Sequence, residues 1–313
     1  MTWKLKLLAA CMLFLPMIAP AAASATTIGV SMSQFDDNFL TVLRNGMTKH
    51  AAAMPGVSLQ VEDAQNDVGK QLNQIQNFIA AKVDAIIVNP VDTDATPKMT
   101  ALAEKAGIPL VYVNRLPADK KLPPKVAFVG SDETQSGTLE MQAVCKLMGG
   151  KGNILVLMGE LSNQAARQRT QDIKDVIAKP NCNGIKILDE QAGDWSRTKA
   201  ADLVTNWLSA GLKPDAIVSN NDEMAIGAIQ SLKQSGRIDK VIVSGIDATA
   251  DGLATMKAGN LKVTVFQDAA GQGKGALETA VKLAKGQTLA NPYVYVPFEL
   301  VTPDNIGKYL GKN

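Results

Sequence analysis

The residues best placed to do chemistry stand in a row at Asn220, Asn221 and Asp222. A short apolar run over 216–218 precedes them and reads as a buried parallel strand. Met224, Ala225 and Ala228 follow at helical spacing, with Asp222 placed to cap that helix. In an open α/β sheet, ligands bind beyond the carboxyl ends of strands. Two amides and a carboxylate there offer donors and acceptors but no strong nucleophile. That chemistry holds a polar molecule rather than transforming one. An ordinary capped strand-to-helix turn is the other reading of the same residues.

The remaining reactive side chains narrow the chemistry further. His50 is the only histidine, which removes most zinc sites and every Ser-His or Cys-His nucleophile. Residues 1–25 read as a cleaved export signal: Lys4 and Lys6, an apolar run over 7–23 broken by Pro16 and Pro20, then the small residues Ala23, Ser24 and Ala25. The run is short for a membrane anchor. Losing Lys4 and Lys6 takes the basic count from 32 to 30, against 30 acidic residues. A neutral chain gives no sign of a nucleic-acid or anionic-surface partner. Cys11 leaves with the signal. Cys145 and Cys182 remain, and in an oxidising compartment an even pair points to one disulfide, with two buried free thiols as the other reading.

These residues must be positioned by a framework, and the framework is legible as α/β. At 313 residues and 46% hydrophobic, the chain can build two domains, each with its own core. Strands over 27–32, 57–61, 85–88, 110–113 and 126–129 alternate with helices over 38–53, 68–80 and 95–106. The alternation restarts with strands over 154–158, 185–188, 216–218, 241–243 and 263–266, between helices over 134–148, 164–178, 196–208, 222–235 and 249–257. A helix over 271–285 and strands over 293–296 and 299–301 complete the chain. This order predicts two similar lobes, each a doubly wound parallel sheet with helices on both faces. The chain would cross between lobes near Gly130, Gln267 and Pro297. The lobes then comprise 26–130 plus 268–296 and 131–267 plus 297–313, and the cleft between them is the expected ligand site.

At this point the motifs carry a resemblance. They are Gly29 to Met32 with Phe39 and Leu40, the runs over 88–95, 108–115, 164–169 and 221–227, and Gly245 to Thr249. Together, behind an export signal, they resemble the periplasmic sugar-binding proteins of ABC importers, in the ribose, galactose and inositol branch. The resemblance spans essentially the whole mature chain. It implies two lobes joined by three crossings and closing around one sugar, which is handed to a permease and its ATPase in the inner membrane. It implies no cofactor and no reaction. A monomer is expected, because the cleft must open and close.

The resemblance also implies the binding residues: Asp37, Phe39 and Leu40 from the first loop, Asn114 and Arg115 from the fourth strand, Arg169, Trp195, Asn221 and Asp247 from the second lobe, and Gln267 from a crossing. The chemistry suits each. Phe39 and Trp195 offer flat faces to a sugar ring, though each could be plain core. Asp37, Asn221 and Asp247 can bridge hydroxyls, though Asp37 and Asp247 could merely cap helices. Arg115 and Arg169 offer forked donors that also pair with carboxylates, with a surface ion pair as the alternative, more so for Arg167. Gln267 could be a solvated loop residue. The ribose-binding pattern has an aspartate where Asn114 stands, a second aromatic where Leu40 stands, and a loop shorter than 34–37. These departures favour a larger ring or polyol, with myo-inositol the best single expectation. A ligand sensor feeding a membrane receptor would use the same cleft. A secreted sugar hydrolase would need Asp37 and Asp247 as acid and nucleophile; neighbouring arginines are expected to keep both ionised and so deny it a proton donor.

Overall fold

The computed structural model describes residues 25–313. The cleavage signal expected over 1–25, and Cys11 with it, lies outside the described residues except for Ala25.

Strands and helices alternate along most of the chain, and the local sequence shows why. β1 (Thr26–Met32) leads to α1 (Asn38–Ala52), β2 (Val57–Asp63) to α2 (Val68–Ala80), and β3 (Ala85–Val88) to α3 (Thr96–Ala106). Asp37 and Asp67 accept from the backbone N–H groups of Leu40 and Lys70 and so start α1 and α2. Gly107, in the left-handed conformation, ends α3. β3 is buried along its whole length, as a continuous apolar run in a central parallel strand should be. β4 (Leu110–Asn114) and β5 (Val126–Gly130) finish this half.

The chain then crosses and repeats the pattern: α4 (Ser136–Met148), β6 (Lys151–Met158), α5 (Gln164–Ile177), β7 (Gly184–Ala192), α6 (Arg197–Ser209), β8 (Ala216–Ser219), α7 (Asp222–Gln234), β9 (Ile242–Ser244), α8 (Ala250–Lys257) and β10 (Thr264–Gln267). It returns through α9 (Ala269–Ala284) to β11 (Tyr293–Tyr295), and crosses a third time to β12 (Phe298–Val301).

The first sheet has the order β11-β5-β4-β3-β1-β2 and is parallel throughout. The second has the order β7-β6-β8-β9, and bridges Ser244–Val263 and Asp247–Phe266 extend it to the β10-β12 pair. The two lobes are thus wound in the same order. One detail departs from two purely parallel sheets, because β12 runs antiparallel to β10. The cause is the crossing itself. Only Val296 and Pro297 separate β11 from β12, so the chain re-enters the second lobe with Phe298 opposite Gln267, where it had left. β10 runs toward the crossing and β12 away from it.

Each face of each sheet carries its own core. Ile28, Val30, Leu43, Met47 and Leu277 fill one side of the first sheet, and Ile75, Phe78, Met99 and Phe128 the other. Leu155, Val204, Trp207 and Ile229 do the same for the second sheet, with Met141, Ile154 and Ile173 opposite. Cys145 and Cys182 are disulfide-bonded, with Cα atoms 5.8 Å apart. They tie the end of α4 to the segment before β7, at the amino ends of the strands. Among the described residues, no helix is long and apolar enough to cross a membrane.

Candidate functional site

The carboxyl ends of both sheets face one cavity, and its lining comes from both lobes. Asp37, Phe39 and Leu40 enter from the start of α1, Asn114 and Arg115 from the end of β4, and Arg169 from α5. Trp195 follows β7, Asn221 follows β8, Asp247 follows β9, and Gln267 ends β10. All ten residues expected from the sequence line this one space. Glu133, Asn163 and Ala165 line it too, and the sequence reading did not name them.

The opening triplet of polar residues behaves differently from the expectation. Only Asn221 reaches the cavity. It, and not Asp222, caps α7, accepting from Met224 N–H at 2.9 Å. Asn220 is buried behind it, its Oδ1 accepting from Gly159 N–H and Thr170 Oγ1. Asp222 turns into the core, where Thr249 N–H at 2.9 Å and Thr264 Oγ1 at 2.7 Å donate to it. It ties the start of α8 to β10. Burial raises its carboxyl above the ordinary range, and these bonds oppose the rise.

Arg169 is the centre of the polar wall. Its guanidinium forks onto Glu133, Nε to Oε2 at 2.8 Å and NH2 to Oε1 at 3.0 Å. NH1 donates to Asn220 O at 2.7 Å, and NH2 also donates to Gln267 Oε1 at 3.1 Å. Both members of the ion pair are buried. Burial works against the arginine charge, but the Glu133 carboxylate outweighs it and holds the guanidinium protonated. Arg167, two residues away, makes an exposed pair with Asp94 at 3.2 Å, which is the surface role expected of it rather than of Arg169.

Arg115 is buried and donates through NH1 to Pro90 O at 2.9 Å and Val91 O at 3.2 Å. Burial lowers its pKa, and Glu160 and then Asp37 oppose that. Asn114 stands in the left-handed conformation, φ 67°, with Nδ2 donating to Gln272 Oε1 at 3.2 Å.

Asp37 caps a helix and still reaches the cavity. Its Oδ1 caps α1, accepting from Leu40 N–H at 2.8 Å, and the residue lines the cavity. Asp247 caps nothing, since Thr249 caps α8. At φ 122° its backbone is in a region unfavourable to an L-residue, and its carboxylate has no protein hydrogen bond among the described residues. Burial raises both carboxyls, Asp247 well above the ordinary range, with Arg169 opposing for Asp247 and the Leu40 N–H and Arg115 opposing for Asp37. Desolvation is the largest influence on both aspartates and outweighs the arginines: Glu133 engages Arg169, and Glu160 stands beside Arg115.

Phe39 and Leu40 are buried in the first-lobe core and also line the cavity. Trp195 likewise joins the second-lobe core, with its indole Nε1 unpartnered in the protein. Gln267 Nε2 is also buried without a partner. Gly159 explains how the indole lies so close to β6. A Cβ there would stand 2.1 Å from the ring.

The two lobes touch around the cavity. On one rim Asn38 Nδ2 donates to Glu223 Oε1 at 2.9 Å. On the other, Thr93 donates through N–H and Oγ1 to Ser162 O, and Thr93 Oγ1 accepts from Gln164 N–H. Asn66 Nδ2 donates to Glu160 Oε1 at 2.5 Å on the same side. Among the described residues no cluster of His, Cys, Asp or Glu is arranged to hold a metal ion.

A polar cavity between two like-wound lobes, lined also by Phe39 and Trp195, is the arrangement of a small-molecule binding protein. Comparison with known proteins agrees. A family model described as a periplasmic binding protein domain matches residues 28–288. The putative rhizopine-binding protein of Rhizobium meliloti is 60% identical over 298 residues, covering 95% of this chain and 96% of that one. An ABC transporter solute-binding protein from Bacillus halodurans, solved with bound myo-inositol, superposes with a TM-score of 0.88 at 42% identity, covering 93% of this chain and 99% of that one. The Caulobacter myo-inositol binding protein, also bound to myo-inositol, gives 0.86 at 27% identity, covering 95% and 100%. The chain belongs to the periplasmic binding protein family. It is a sugar-binding protein of an ABC transporter and not an enzyme, which removes the hydrolase reading on family grounds.

Proposed function

We propose that the cavity captures one cyclic polyol, myo-inositol first among them, and that the protein delivers it to the permease and ATPase of an inner-membrane ABC importer. The observation that carries this reading is the donor–acceptor inventory of the cavity. Asp37 and Asp247 face it as acceptors, Trp195 Nε1 and Gln267 Nε2 are donors without protein partners, and Phe39 and Trp195 bring apolar faces from opposite lobes. A ring that is apolar on its faces and hydroxylated around its rim fits that arrangement. The two relatives solved with myo-inositol support the choice, and the relative called rhizopine-binding adds rhizopine to the compounds worth testing.

In this reading the ligand-binding residues are the ten expected from sequence, joined by Glu133 and Asn163. The lobes are 26–130 with 268–296 and 131–267 with 297–313. The export signal delivers the protein to the periplasm, where it works as a monomer. The test is thermal unfolding of the ligand-stripped protein against pentoses, hexoses, inositols, rhizopine and linear polyols. A compound that binds only the folded state, at about 100 times its Kd, stabilises by about 2.7 kcal/mol. A clear upward shift with an inositol is expected. A shift with pentoses alone would replace the ligand and keep the mechanism.

A further inference from the structure

Glu160 lies on the loop between β6 and α5, in the second lobe, yet both polar contacts of its side chain are with the first. Its Oε1 accepts from Asn66 Nδ2, and its Oε2 stands 3.9 Å from Arg115 NH1. Asn66 is held for this contact by a tight turn. Gln65 and Asn66 both have positive φ, and Asn66 N–H donates to Ser33 O at 2.7 Å. Arg115 is a wall of the cavity, and its side chain is only 5% exposed.

A buried cation needs a counter-charge. Asp37, in the same lobe, is one carboxylate whose field reaches Arg115, and Glu160 is the other. The second arrives only when the lobes meet. The remaining contacts on this rim, Thr93 with Ser162 and Gln164, and Asp94 with Arg167, involve no cavity residue of the first lobe. Among the described residues, Glu160 alone on this rim joins the contacts between lobes to a first-lobe side chain that lines the cavity. Resting on the cyclic-polyol reading, we propose that Glu160 is a positioning residue. It completes the charge environment of Arg115 when the lobes close, and so governs how long the ligand is retained.

The role predicts a kinetic signature. Capture takes place before the lobes meet, so the association rate should not depend on Glu160, whereas escape requires breaking its contacts. Stopped-flow binding of myo-inositol to the full protein, followed by tryptophan fluorescence, separates the two rates. Glu160→Gln keeps the shape and removes the charge. It should raise the dissociation rate about tenfold, the scale of one charge-assisted contact, and leave the association rate within about twofold. Asn66→Ala should act in the same direction, and adding it to Glu160→Gln should cost less than the two effects multiplied. Lys199, an exposed cation also near Glu160 and bonded to Asp194, is the control: Lys199→Ala should leave both rates unchanged.

The unfolding midpoint of the ligand-free Glu160→Gln protein should match that of wild type. An unchanged dissociation rate would overturn the proposal, as would equal changes in both rates or a lowered ligand-free midpoint. Wild-type protein that ignores myo-inositol would remove the inositol reading and this proposal with it. That result is distinct from wild-type binding that Glu160→Gln leaves untouched.

Discussion

Arg169 and Glu133 meet in a two-pronged ion pair inside the cavity wall, at 2.8 and 3.0 Å, with only 4% and 3% of their side chains exposed. Glu133 comes from the segment after β5, where the chain has just crossed between lobes, and Arg169 from α5. The pair therefore joins the segment after the crossing to α5, and with the bonds to Asn220 O and Gln267 it leaves one guanidinium N–H for the cavity.

Removing one partner leaves the other buried and uncompensated. Glu133→Ala should destabilise the protein by about 3 kcal/mol, the cost of breaking a buried pair. It should also weaken polyol binding, because Arg169 loses the group that orients it. Urea unfolding and calorimetric titration of the same variant check both halves. Retained affinity with lowered stability would make the pair structural only.

Gly159 tests the aromatic face. A methyl group there would stand 2.1 Å from the Trp195 ring, so the indole must move. Gly159→Ala should weaken polyol binding at least about tenfold, the scale of roughly 1.4 kcal/mol of lost packing and stacking. Tryptophan emission, which reports the displaced ring, and the binding constant should change together.

The acidic groups make the ligand-free protein pH-dependent in a defined direction. Burial raises Asp37, Glu140, Asp222 and Asp247, and raises Asp172 to about 6. For an acid whose folded pKa exceeds its unfolded value, the folded state binds more protons in the interval between them. Stability then falls as pH rises from the ordinary carboxylate range, near 4, through the raised value. The ligand-free midpoint should therefore drop between pH 5 and pH 8. Glu140→Gln, whose side chain would keep a contact to Ser244 Oγ, should flatten that drop. A midpoint that climbs over this range would contradict the account.

The disulfide lies far from the cavity and should matter only for stability. It spans 37 residues, for which loop closure alone gives about 4 kcal/mol. The Cys145→Ser, Cys182→Ser double variant should unfold at markedly lower denaturant, while its affinity for the polyol stays within about twofold of wild type.

Much of this was legible before the fold was in hand, and what was missed has physical causes. Central strands such as β3 announce themselves by unbroken apolar runs. An edge strand need not: β7 continues to Ala192, past the expected end at 188, because Asp189, Glu190 and Gln191 are tolerated where one edge meets solvent. The ten residues that line the cavity as expected came from the resemblance, and most stand at or just beyond the carboxyl end of a strand, with Arg169 on α5. Glu133 follows one too, but in the sequence it is one acid among polar neighbours after Gly130. Its role depends on Arg169, 36 residues away. Asn220 to Asp222 show the converse limit. Composition marked the triplet as polar, but only the register of β8 decided that Asn221 would face the cavity and Asp222 the core.

The central claim is that one cyclic polyol binds in the cavity and that Asp247 accepts its hydroxyls. Calorimetric titration of ligand-stripped wild type and Asp247→Asn with myo-inositol tests it most directly. The account predicts one site per chain for wild type and a loss of at least about 100-fold in affinity for the variant, the scale of a buried hydrogen-bonded charge. The variant's ligand-free midpoint at neutral pH should nonetheless be equal or higher, because the penalty that burial imposes on the Asp247 carboxyl is gone. No heat with wild type, or equal affinities for the two proteins, would contradict it.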